Sequence, residues 1–245
     1  MEIFSKVGGT VLSRWGHVLA GITWIGLLYY FNFVQVPSFA ELEAGSRTDV
    51  VRKLVPRALW WFRWSAVLTV LTGVFILGFQ DQYRGSYFKT APGTSILTGI
   101  LMALVMFTNV WMFIWPNQRI VIASAEAVAS GGQADPEAVA AARRGLLASR
   151  TNTLLSIPML FFMVATSHFF GATNHYAPAG GKLALYWLIT IVVVGAIEAN
   201  ALGAIGGMGP GPTRKPLEDH HKTIAAGFVL WAVFYLLWEI LLRRT

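Results

Sequence analysis

The sequence contains no cysteine, and only 13% of its 245 residues are charged. The missing thiols exclude disulfides, iron–sulfur clusters, thiolate zinc sites and covalently attached c-type haem. The shortage of charge excludes an ordinary soluble domain, where about a quarter of residues are charged. Acidic residues are scarcest, with 12 Asp and Glu against 19 Lys and Arg, which leaves a formal charge of +7. In a soluble protein that excess would suggest nucleic acid. Here most of the cations fall in the polar connections between apolar runs, where positive charge orients a membrane protein, so no nucleic-acid partner is expected.

What is abundant is apolar: 55% of residues are hydrophobic, with 10 Trp, 7 Tyr and 16 Phe. A bilayer core needs about 20 consecutive apolar residues in a helix. Six stretches meet that length: Val11–Val36, Ala58–Phe79, Gly93–Trp115, Thr151–Phe170, Leu183–Ile205 and Thr223–Leu242. Backbone polar groups must be satisfied within lipid, and the runs do not alternate, so helices are expected rather than strands. The first run is too long for a signal-peptide core and reads as a spanning helix that directs insertion. The fold class is therefore an all-α integral membrane protein, a six-transmembrane-helix bundle forming a single domain over residues 1–245.

The connections add detail. Pro37–Arg57 is polar, with room for a short interfacial helix around Thr48–Leu54. In Pro116–Arg150, Asp135-Pro136-Glu137 has the form of a helix start, with Asp as N-cap and Pro at the first position. Helices three and four are expected to extend beyond the bilayer and meet at Gly131-Gly132-Gln133. Gly206–Asp219 is rich in Gly and Pro; it lacks the Lys-Ser/Thr of a phosphate loop and reads as a flexible linker or lid. Loops one, three and five carry 11 Lys/Arg and the opposite side 7, with Arg63 inside helix two. Positive charge favours the inside, which places both termini in the periplasm and the helical extension in the cytoplasm of a bacterial inner membrane.

Polar residues in spanning segments default to functional candidates. His17 on helix one and His168 on helix four fall at matching depth near the outer surface, a placement two axial ligands of one haem b would need. Each also has a structural alternative, a hydrogen bond to a neighbouring helix. Gly21 and Trp24 follow His17 on the same helix face, giving room and an aromatic wall for a flat cofactor; Met163 and Met106 read as core filler. His220-His221 open helix six, as an interfacial pair or as proton carriers. At the opposite ends of the helices stand Asn32, Gln35, Arg63, Asn109, Asn117, Arg150, Asn152, Glu198 and Asn200. Arg63 and Glu198 could neutralise one another; alternatively the cluster could hold a small planar anion, with Arg as charge partner and amides to orient it.

Three segments carry a resemblance: His17 through Trp24, Gly26, Tyr29, Asn32 and Phe33; Asn109-Val-Trp111 through Trp115-Pro116-Asn117-Gln118; and Ser149-Arg150-Thr-Asn152 through Ile157-Pro158-Met159. Together they resemble the bacterial membrane-bound urate oxidase (urate hydroxylase) family. A looser similarity, His followed by Trp and Gly, extends to copper-resistance membrane proteins and to membrane haem-pathway oxidases. The urate oxidase resemblance implies oxidation of urate to 5-hydroxyisourate, with electrons leaving through a C-terminal cytochrome c domain. No Cys-x-x-Cys-His occurs here, so the electrons are expected to pass through haem b to an external c-type cytochrome or a larger redox complex. On this reading His17, His168 and Trp24 hold the cofactor, and Asn32, Asn117, Gln118, Arg150 and Asn152 bind substrate. Glu198, as proton acceptor, and Arg63, as charge partner, carry the chemistry. The rival expectations are a non-catalytic haem-binding or structural subunit of a respiratory or photosynthetic complex, and a small-molecule or metal transporter. A homo-oligomer is compatible with all three.

Overall fold

A computed structural model describes residues 2–83, 85–173 and 180–242; His175 and the cations Arg84, Arg243 and Arg244 lie outside the described residues. Six helices in it are long and apolar enough to cross a membrane: α1 (Lys6–Glu41), α2 (Ala44–Phe79), α3 (Ala91–Ala129), α4 (Ala138–His168), α5 (Gly180–Ala201) and α6 (His220–Leu241). At 1.5 Å per residue α5 and α6 are each about 33 Å long, close to the hydrocarbon thickness, whereas α3 is about 58 Å and α4 about 46 Å. The excess length of α3 and α4 forms a helical hairpin. We call the end of the bundle at which it lies the hairpin face, and the end bearing the start of α1 and the end of α6 the terminal face.

The hairpin turns where the sequence places it, although α4 begins at Ala138 with Glu137, not Asp135, at its N-cap. Gly131 takes φ +82° after the end of α3, a conformation that glycine adopts without strain. The Gly132 amide returns to the Ala127 carbonyl at 2.9 Å. Asp135 Oδ1 accepts from the Glu137 amide at 2.8 Å, and Asp135's own amide donates to Ser124 Oγ at 2.9 Å, which pins the turn to α3. The interfacial helix is also present, running over Ala44–Lys53 and joined to the spanning part of α2 at Leu54.

Two features depart from regular α-helix. Residues Tyr30–Gln35 of α1 and Asn109–Ile114 of α3 are π-helical. Each widened turn closes just before a proline: the Val36 amide bonds Phe31 O ahead of Pro37, and the Trp115 amide bonds Val110 O ahead of Pro116. A proline ring clashes with the carbonyl four residues back and supplies no amide proton. Bonding to the fifth residue back opens the turn and relieves the clash. Pro158 in α4 is resolved differently. It cannot donate to Leu154, and α6 crosses at that point through Gly227, where an added Cβ would stand 2.9 Å from Leu154 O and 2.5 Å from Ile157 Cδ1.

α4 is the central helix: 67% of its spanning window is buried, against 33% or less in the others. α3 and α6 flank it and α1 packs along α2. Small residues allow that approach, Gly9 against Phe79, Gly16 against Thr72 and Gly73 against His17, as expected where helices associate in lipid without a hydrophobic drive.

The fifth connection is ordered by one side chain, contrary to the flexible linker or lid expected from its composition. Arg214 is 1% exposed. Its guanidinium donates to the carbonyls of Asn200 (3.1 Å), Ile205 (2.5 Å), Gly206 (3.2 Å) and Gly209 (2.9 Å). Gly203, Gly206 and Gly207 take φ of +82°, +75° and +71°, which turns the chain around that cation. A buried charge with its donors satisfied is a strong local constraint.

Candidate functional site

The polar residues at the hairpin face do not form one pocket. They divide around α4 because Asn152 follows Arg150 by two residues, and two residues along an α-helix are about 200° apart.

On one side of α4, α3 and α5 meet through amides and a carboxylate. Asn109 Nδ2 donates to Asn152 Oδ1 at 2.9 Å and to Glu198 Oε2 at 3.0 Å, and Asn152 Nδ2 donates to Met106 O at 3.0 Å. Asn109 and Asn152 are buried, and Glu198 Oε1 is buried without a partner. Asn109 opens the π-helical turn of α3, which aims its side chain across α4.

On another side, α1 and α4 are joined by Asn32. Its Nδ2 donates to Ser149 Oγ at 2.8 Å and to Leu28 O at 2.9 Å, while its Oδ1 is buried and unbonded. Gln35 Oε1, at the end of the same π-helical turn, is likewise buried and unbonded. Both residues line a cavity of about 510 Å³ between α1, the interfacial helix, α3 and α4, together with Gln118, Gly145, Ser149 and Arg47. Its size is in the range of small-molecule sites, roughly 300–1,000 Å³. Gly145 keeps it open, since a Cβ there would stand 3.2 Å from Gln118 Nε2. Asn117, one residue before Gln118, is held by its own backbone and by Arg144, whose Nε donates to Asn117 Oδ1 at 2.8 Å.

Arg150 follows Ser149 and faces the start of α6. It is 3% exposed, yet Nε and Nη1 are buried without any partner. The nearest carboxylates, Glu218 and Asp219, act on it only at a distance. Glu218 is held by Arg143 in a two-pronged ion pair that keeps its carboxyl below the usual range. Asp219 caps α6 by accepting from the Lys222 amide at 3.1 Å, and that hydrogen bond holds it low as well. His220, the first residue of α6, also lies within electrostatic range of Arg150. Its ring stands 6.2 Å from Phe33 of α1 and 4.0 Å from His221. Arg150 is thus a buried guanidinium, near the N-terminal end of a 22-residue helix, with two nitrogens that have no hydrogen-bond partner among the described residues.

The sequence-derived pairing of Arg63 with Glu198 is not formed. Glu198 is taken by Asn109, and Arg63 lies over the indole of Trp115, 3.6 Å from the ring centroid, with Trp111 at 5.3 Å. Arg63 therefore belongs to the α2–α3 surface rather than to the interior cluster. A second cavity, of about 450 Å³, lies between α4, α5 and α6, lined by Val193, Ile197, Leu230 and Val233; of the candidate residues only Asn200 borders it.

Toward the terminal face, His17 and His168 occupy corresponding places on α1 and α4 but do not face one another. Tyr29 OH and Ser156 Oγ join α1 to α4 at 2.9 Å, and His17 and His168 each lie twelve residues from that contact. The His17 ring turns to α2, where Nδ1 is 2.9 Å from Thr69 O and 3.2 Å from Thr72 Oγ1. His168 is exposed at the end of α4. The Thr69 carbonyl fixes the proton on Nδ1 and leaves Nε2 as the free lone pair, as in many ligating histidines. His17 fits one haem ligand on this ground; His168 shares no contact with it, and no group of three His, Cys, Asp or Glu able to hold a metal ion occurs among the described residues. Trp24 is buried, with Nε1 lacking a partner.

Six helices long and apolar enough to cross a bilayer define a multi-pass membrane protein. Residues 82–200, just under half of the chain, match the family model described as Urate oxidase N-terminal. The matched segment covers α3, α4 and nearly all of α5, including Asn109, Asn117, Gln118, Arg150, Asn152 and Glu198. Comparison with curated proteins and with solved structures yields no match.

Proposed function

We propose that this protein is a membrane-bound oxidoreductase of bacterial inner membranes that binds urate, or a closely related planar purine anion, at Arg150. The observation that carries the reading is the uncompensated Arg150 guanidinium, 3% exposed and with two unbonded nitrogens, in a chain whose central segment matches the urate oxidase family. A buried cation without a partner is costly in the ligand-free protein, and a charged ligand that pairs with it recovers that cost. Ser149, the residue before Arg150, lines the cavity of about 510 Å³ that also holds Asn32 and Gln35, whose unbonded carbonyl oxygens would receive the N–H edges of a purine extending there. The site would face the cytoplasm, in line with the greater Lys/Arg content of that side.

Oxidation of urate to 5-hydroxyisourate adds the elements of water and releases two electrons and two protons. His220, on the α6 side of Arg150 and 3.9 Å from the Asp219 carboxylate, is the proton acceptor in this proposal. The electrons go to two equivalents of a one-electron acceptor such as ferricytochrome c. His17 Nε2 is the atom that would ligate a haem; a bound haem would relay electrons, and the residues shown here supply one ligand for it.

The test is urate-dependent reduction of ferricytochrome c by purified protein in lipid nanodiscs, with 5-hydroxyisourate followed by its ultraviolet absorbance. Two cytochromes reduced per urate consumed is the expected stoichiometry. Full urate binding with no turnover across cytochrome and quinone acceptors would instead support a binding subunit of a larger complex.

A further inference from the structure

Arg63 is excluded from the interior site by its position, and that position suggests another ligand. The exposed face of α2 is marked by Arg57, Trp60, Trp61 and Trp64, at the i, i+3, i+4 and i+7 spacing of one helical stripe. The three indoles are 48%, 60% and 46% exposed. They pack edge to face, Trp60 with Trp61 at 5.0 Å and Trp64 with Trp111 of α3 at 5.6 Å. The stripe continues through Leu68, Leu71 and Phe75, all about half exposed, toward Phe79. Trp60 and Phe79 are nineteen residues apart, about 28 Å along the helix, which matches the hydrocarbon core. The indoles therefore sit at the headgroup boundary on the hairpin face, where tryptophan is enriched.

Two guanidiniums stand beside this belt without a counter-charge. Arg63 rests on Trp115 and Trp111, and its nitrogens make no hydrogen bond to any described residue; Nε is covered and unbonded. Arg119, one turn beyond Trp115 on the exposed face of α3, is close enough for the two cations to repel one another. Neither Arg63, Arg119 nor Arg57 forms an ion pair among the described residues. The indoles of Trp115 and Trp111 lie against the Arg63 guanidinium, and Arg119 is exposed one helical turn beyond Trp115. Paired, unneutralised cations at headgroup depth, flanked by exposed indoles and an apolar stripe for acyl chains, form a complementary surface for one occupant.

We propose that the α2–α3 face binds the phosphate of an anionic phospholipid, with Arg63 and Arg119 as the charge partners and Trp60, Trp61 and Trp64 against the glycerol and upper acyl chains. This site is separate from the Arg150 site and does not depend on it.

Native mass spectrometry of detergent-purified protein titrated with phosphatidylglycerol or phosphatidylcholine tests the proposal. A cation near an anionic surface contributes about 1 kcal/mol, roughly fivefold in affinity, so the R63Q/R119Q double variant should bind phosphatidylglycerol about 25-fold more weakly. Its phosphatidylcholine binding should be unchanged, and R63K/R119K should recover most of the loss. R119Q alone, at an exposed position, should lose about fivefold and serves if the double variant does not fold. Equal binding of the two lipids by the wild type would overturn the proposal, as would undiminished phosphatidylglycerol binding by R63Q/R119Q. Displacement of the lipid by millimolar inorganic phosphate would also overturn it, by showing a site for free phosphate.

Discussion

Replacing Arg150 by Met separates a ligand-binding cation from a structural one. The guanidinium is 3% exposed and has two nitrogens without acceptors, while its nearest carboxylates are engaged by Arg143 and by the start of α6. Replacing a buried ion pair by apolar side chains of similar volume is often neutral or stabilising by about 1–4 kcal/mol, and a buried cation without a hydrogen-bonded partner has less attraction to lose. Arg150→Met should therefore leave the ligand-free protein as stable as the wild type or more so. Urate affinity should move the other way. Loss of charge-assisted hydrogen bonds is worth about 3 kcal/mol, roughly 150-fold in Kd. Thermal unfolding in nanodiscs, with and without urate, reads both effects. Urate should raise the melting temperature of the wild type and leave that of the variant unmoved. A ligand-free variant destabilised by about 2 kcal/mol or more, still protected by urate at wild-type concentrations, would refute the reasoning and make Arg150 a structural residue.

Other substitutions probe the remaining geometry. Glu198 lies on the far side of α4 from Arg150, so Glu198→Gln should keep urate affinity within about twofold in direct binding, since its hydrogen bond to Asn109 survives with weakened charge. Arg214→Met should release four carbonyls and destabilise the protein by about 3 kcal/mol, detectable as a lower melting temperature and as protease cleavage between residues 202 and 212. Gly227→Val should disrupt the α4–α6 contact at Leu154, giving a loss of about 1–3 kcal/mol from overpacking, read by denaturation in mixed micelles. The Arg143–Glu218 pair holds the Glu218 carboxyl below its unfolded value. Its contribution is then present above the ordinary carboxylate pKa of about 4.3 and is lost as pH falls through the lower folded value. Stability measured against pH should show an acid limb below about pH 4.5 that is shallower in Glu218→Gln.

Much of the fold was legible because lipid leaves few choices. Six apolar runs of spanning length had to be helices, and Asp135-Pro136 marked the turn between α3 and α4. The π-helical turns were missed, although Pro37 and Pro116 inside long helical segments were the signal for them. Those turns aim Asn32, Gln35 and Asn109, so the omission concerned how side chains are presented rather than which helices form. The polar cluster was read as one pocket because composition reports depth along a helix but not azimuth. Arg150 and Asn152 share a depth and point apart by half a turn. The same limit governs His17 and His168, which occupy corresponding places on α1 and α4 while one turns to α2 and the other is exposed. Arg214 shows the converse: a Gly- and Pro-rich connection looks disordered by composition until a single buried cation gathers its carbonyls.

Saturation binding of radiolabelled urate to wild type and Arg150→Met, side by side in nanodiscs, tests the central claim most directly. The wild type should bind one urate per chain saturably, and the variant should require roughly 150-fold more ligand. No saturable binding by the folded wild type, or identical curves for the two proteins, would contradict the assignment of Arg150 as the urate site.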